Sequence, residues 1–221
     1  MPVRNASRGW SRAELWSAVH TERAALVEDL QDLPAEQWRQ PSLCRGWTVE
    51  DVVAHLVAAA GTGRLRWLRS VLGARFDADL HNERRLAEHR GSDPAATLDA
   101  LRRCVTSTTA PSGHTPAWLG EVVVHGQDVL RPLGITRRPP VAAVTQVADF
   151  FVRRDFAVPS RSTARGLRLA ATDGPFAAGD GPLVSGSTLA LTMAMAGRGA
   201  FCDDLDGPGL AVLRERCATV S

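Results

Sequence analysis

Three side chains in this sequence combine residue types and spacings that suit metal chemistry: His55, Glu121 and His125. Glu121 stands four residues before His125, so on a helix the carboxylate and the imidazole share one face. His55 lies in a separate segment among Val52, Leu56 and Ala59, whose spacing marks the stripe a helix turns toward a core. A buried imidazole is ordinarily satisfied by a backbone carbonyl, and a carboxylate in apolar surroundings by a cation. The sequence has no lysine, and no arginine lies within one helical turn of Glu121. An arginine from another helix and a metal ion are therefore the two readings left open. Two nitrogens and a carboxylate would hold one divalent ion and leave a coordination position free, as catalytic sites do. Asp51, one turn before His55, and Asp128, three residues after His125, are spaced to accept the outer ring N–H of each imidazole. Their plainer readings are a helix cap for Asp51 and a solvated face for Asp128.

Helices must position these residues, and the sequence marks where they start. Leu15, Val19, Leu26 and Leu30 recur at helical spacing from Ser11 until Pro34, a first helix of about five turns. After a loop containing Pro41 and Gly46, Thr48 and Asp51 form a capping box that starts a second helix at Val49, running to about Leu72 with a weak point at Gly61-Thr62-Gly63. The polar stretch from Phe76 to Thr108 reads as a helix restarted by Asp93-Pro94, and Thr115-Pro116 opens a fourth helix that stops at Pro132-Leu133-Gly134. Arg137-Arg138-Pro139-Pro140 reads as a linker, dividing a bundle over 1–136 from a smaller unit over 137–221. That second unit should hold a helix from Val141 to about Asp155, a strand over Leu167 to Thr172, and a hairpin turned at Gly179-Asp180-Gly181-Pro182 into Leu183-Val184. Helices over Ser187 to Ala196 and Gly207 to Arg216 complete an α+β fold.

Composition excludes several functions. The net charge is +2, and the 26 basic residues, all arginine, are scattered along the chain, which gives no nucleic-acid stripe. No apolar run reaches a membrane span, and no secretory leader is visible, so a cytoplasmic protein without a membrane partner is expected. Cys44, Cys104, Cys202 and Cys217 show neither a C-x-x-C pair nor a regular spacing, and read as reduced thiols.

The segment Cys44-Arg45-Gly46-Trp47-Thr48-Val49-Glu50-Asp51-Val52-Val53-Ala54-His55-Leu56, together with Glu121-Val122-Val123-Val124-His125-Gly126-Gln127-Asp128-Val129, resembles the mycothiol-dependent maleylpyruvate isomerase family. That family belongs to the DinB-like four-helix bundles, and the run from Leu183 to Ser187 and on to Ala196-Gly197-Arg198 is similar to its small C-terminal α/β domain. The resemblance implies that His55, Glu121 and His125 are metal ligands, normally for zinc, and that Cys44 is not one. It matches Arg198 to a functional arginine, catalytic and binding an anionic substrate or cofactor; a residue that merely ends a helix is the alternative. The polar stretch around Asn82 resembles the family's third helix.

These readings imply an enzyme whose metal keeps the sulfur of a small thiol, mycothiol by resemblance, in its nucleophilic thiolate form for attack on a small electrophile. The outcome is an isomerisation or an S-transfer. A hydrolase using metal-bound water and a non-catalytic metal-binding sensor are the alternatives. The expected partners are small molecules, with the chain a monomer or homodimer.

Overall fold

The computed structural model describes residues 9–61, 89–110 and 112–220. The expected end of the second helix near Leu72, the start of the Phe76 to Thr108 stretch and Asn82 lie outside the described residues.

Helix α1 (Arg12–Leu30) is opened by a capping box in which the Glu14 amide donates to Ser11 Oγ and the Ser11 amide to Glu14 Oε2. Leu15, Val19, Leu26 and Leu30 are buried along it, as their spacing predicts. Helix α2 (Val49–Gly61) starts at the second expected capping box: the Asp51 amide donates to Thr48 Oγ1 and the Thr48 amide to Asp51 Oδ2. Helix α3 (Pro94–Arg103) begins with Asp93 accepting from the Ala96 amide and Pro94 in the first turn, where its missing N–H costs nothing. Helix α4 (Thr115–Leu130) likewise starts at Thr115-Pro116. Helices α1 and α2 each pack against both α3 and α4, which closes a four-helix bundle around a continuous apolar core. No described helix is long and apolar enough to cross a membrane.

Helix α5 (Val141–Phe151) packs on α4 and carries the apolar core into the rest of the chain. It stops four residues short of the expected Asp155, because Ser160 Oγ takes the carbonyls of Phe151 and Arg154 and folds the chain back into helix α6 (Ser160–Ala164). Four short strands follow, β1 (Arg168–Ala171), β2 (Ala177–Ala178), β3 (Leu183–Gly186) and β4 (Leu205–Asp206), in the order β2-β1-β3-β4. The expected hairpin into Leu183 is corrected here: β3 runs parallel to β1, and only β2 and β4 are antiparallel to their neighbours. The reason is the glycine turn. Gly179 has φ +76° and a Cβ there would lie 1.9 Å from the Leu167 carbonyl oxygen; at Gly181 it would lie 2.0 Å from that of Gly166. The chain can therefore cross tightly under the start of β1 and enter β3 on its other side. Helix α7 (Thr188–Met195), capped by Ser187, packs on α5, and helix α8 (Leu210–Val220) closes the fold.

Candidate metal centre

The two-helix arrangement read from the sequence is present. His55 on α2 and Glu121 and His125 on α4 converge, with ligand atoms all within 4.8 Å of one another. His55 Nε2 donates to Glu121 Oε1 at 2.6 Å, His125 Nε2 lies 3.7 Å from the same oxygen, and the two rings meet edge to face with centroids 4.8 Å apart. The three side chains are only 14% to 19% exposed, and they line a cavity of about 470 Å³. Trp47 packs its ring 5.1 Å from that of His55 and lines the same cavity. Val52 and Leu56, flanking His55 along α2, are buried, which fixes the helix face and places His55 at its margin.

Asp128, fully buried, accepts from His125 Nδ1 at 3.0 Å. A carboxylate at Nδ1 keeps the proton there and reserves Nε2 for the cavity side. Asp128 is itself held by Arg198, whose Nε and Nη2 donate to its two oxygens at 3.0 and 2.7 Å. The fork is bidentate, the strong geometry for this pair. Arg198 reaches it because Gly197, at φ +85°, turns the chain after α7; its Nη1 also closes that helix by donating to the Ala196 carbonyl. Arg198 thus lines the cavity, and its Nε and Nη2 are engaged by Asp128.

Asp51 is the second correction. Its carboxylate accepts from the Thr48 amide and hydroxyl and pairs with Arg90, so it serves the helix start and does not back His55. Cys44, expected to be a loop thiol without a part in the site, donates from Sγ to Asp128 Oδ2 at 3.1 Å and lies 3.5 Å from His125 Nδ1. Its loop is stapled to α4 by the Leu43 amide, which donates to the Asp128 carbonyl. Its place in the quoted motif was the only sequence signal for this.

Charge follows geometry. Burial alone would raise the Glu121 carboxyl, but His125, His55 and Arg198 outweigh it and hold it at about 2. Burial alone would lower the His125 imidazole, but Glu121, Asp128 and Cys44 push it up to about 10. Asp128 is likewise held far below the ordinary carboxylate range against its burial, by His125 and Arg198.

Among the described residues a second trio, Cys44, His125 and Asp128, is also close enough to hold a cation. Asp128 there is saturated by Arg198, His125 and Cys44, whereas the first trio faces the cavity with two nitrogens and an anionic oxygen. The residues therefore fit a divalent metal ion at His55, Glu121 and His125.

Fold and site together define a helical bundle joined to a small mixed sheet, with a two-histidine, one-carboxylate cluster on the bundle and an arginine from the C-terminal part behind it. Residues 19–117 match the family model of the mycothiol maleylpyruvate isomerase N-terminal domain. The match includes His55 and ends before Glu121 and His125. Among solved structures, a mycothiol-dependent maleylpyruvate isomerase shares the fold at 16% identity and a TM-score of 0.65. A histidine-to-alanine mutant of a mycothiol-dependent maleylpyruvate isomerase does so at 17% and 0.64. Each likeness covers 90% of this chain and 93% of the other. No protein of curated function matches the sequence.

Proposed function

We propose that this chain is a metal-dependent, mycothiol-using enzyme, an isomerase or thiol S-transferase acting on a small electrophile. The observation that carries the reading is the meeting of His55, Glu121 and His125 at the wall of one cavity. The fold, shared with structures named as mycothiol-dependent maleylpyruvate isomerase, supports mycothiol as the thiol.

In this reading His55, Glu121 and His125 would hold one zinc ion, which when bound would lower the pKa of a coordinated thiol enough to keep it a thiolate nucleophile at neutral pH. Asp128 keeps the His125 proton on Nδ1, and Arg198 holds Asp128; both are positioning residues. Trp47 restrains the His55 ring by packing against it.

Elemental analysis followed by mass spectrometry with mycothiol and a panel of electrophiles tests this. One zinc per chain and thiol-dependent turnover are expected: cis-to-trans conversion for an isomerase, a stable thioether for a transferase. His55→Ala should abolish metal binding and turnover while keeping the helical circular dichroism spectrum. Turnover without thiol would replace the reading by a metal-water hydrolase. A folded, metal-loaded protein with no turnover would favour a sensor.

A further inference from the structure

The cavity that holds the three candidate ligands has a second, apolar end. Gly120, the residue before Glu121, lets α5 approach α4 closely: a Cβ there would lie 3.1 Å from Val147 Cγ1 and 3.3 Å from the Phe151 ring. Phe151 is thereby set beside the acid. Phe150 and Phe156 continue the cavity lining, with ring centroids 5.9 Å apart at 73°, and Phe150 lies 6.3 Å from Phe151. His114 packs behind them, 5.5 Å from Phe156.

Phe156 is 46% exposed. Its backbone is nevertheless pinned on both sides. Ser160 Oγ holds the Phe151 and Arg154 carbonyls, Ser162 donates to the Asp155 carboxylate, and the Phe156 amide donates to the Val158 carbonyl. A fixed backbone that presents a phenyl ring into water at the edge of a cavity leaves apolar surface to be covered by a ligand. Among the described residues, exposed Arg154 lies over the Phe150 ring, 5.3 Å from its centroid, and the cavity-lining arginines are engaged or exposed. Arg198 is committed to Asp128 and the Ala196 carbonyl, and Arg45 is exposed and screened by solvent.

We propose that the electrophile carries an aromatic ring, laid against Phe150, Phe151 and Phe156, with its reactive carbon toward His55, Glu121 and His125. Edge-to-face contact with the two tilted rings is the recognition. The chemistry at the other end rests on the thiol-dependent reading above; the aromatic wall does not.

A matched pair tests it: methyl vinyl ketone substituted at its terminal carbon with phenyl or with carboxylate. Rates with mycothiol are divided by the uncatalysed rates, and calorimetry measures binding of the saturated, unreactive analogues to the zinc-loaded protein. The phenyl compound should be preferred by about 10-fold or more in kcat/KM, and Phe156→Ala should shrink that ratio by about 10-fold, with Phe156→Leu between. Preference for the carboxylate, or a ratio that Phe156→Ala leaves unchanged, would overturn the inference. If neither compound turns over but the phenyl analogue binds more tightly in a Phe156-dependent way, the wall stands and the thiol-dependent reading falls. Turnover without a phenyl preference gives the reverse, and no turnover with no binding preference removes both.

Discussion

Raising the pH of the chelator-stripped protein should cost it several kcal/mol of stability that zinc-saturated protein keeps. The His125 imidazole is held at about 10 in the folded chain, above an ordinary value near 6.5. Below about pH 6.5 folded and unfolded chains both carry that proton, and the stabilisation from the raised pKa is fully present. Between there and about 10 the folded chain holds a proton that the unfolded chain has released, so stability falls with pH by about 1.4 kcal/mol per unit. Over the whole window the loss is on the order of 4 kcal/mol. Glu121, held at about 2, is ionised throughout and adds no slope. When zinc is coordinated, His125 is neutral in folded and unfolded protein alike, and the slope vanishes. Urea denaturation from pH 6.5 to 9.5, with chelator and with excess zinc, reads the difference. The Cys217 thiol, pushed up by Cys202 and by burial, also lowers stability at high pH, but it does so in both forms and cancels. A zinc-minus-chelator difference that stays flat with pH would refute the charge balance drawn for the site.

Two substitutions probe the supporting structure. Asp128→Asn leaves the Arg198 guanidinium, 15% exposed, without its counter-charge and should destabilise the protein by about 3–5 kcal/mol in urea titrations. Gly120→Ala gains about 1 kcal/mol of helix propensity but drives a methyl against Val147 and Phe151 at a cost of about 1–3 kcal/mol, so a modest fall in Tm is expected.

Much of this was legible in the sequence because it depends on short-range chemistry. The Thr48 and Asp51 capping box, Asp93-Pro94 and Thr115-Pro116 are local signals, and each starts a helix where expected. His55, Glu121 and His125 could be nominated because residue type and helical phase were both unusual, although only tertiary packing could bring α2 to α4. What escaped was set by distant partners. Cys44 meets Asp128 across 84 residues, and Arg198 meets it across 70; neither contact has a periodicity to read. Asp51 could cap its helix or back His55, and the nearer Thr48 amide and hydroxyl won. The aromatic wall was missed because Phe156 follows the end of α5, whose early stop is dictated by Ser160.

The clasp between Arg198 and Asp128 has a consequence for assembly during synthesis. A ribosome releases the bundle first, with two imidazoles and an acid already encoded, yet the side chain that locks the Nδ1 proton through its neighbour comes from the far end of the polypeptide. An unfinished chain therefore lacks the Arg198 fork on Asp128, and with it one of the contacts that orient His125, until the C-terminal part has been made.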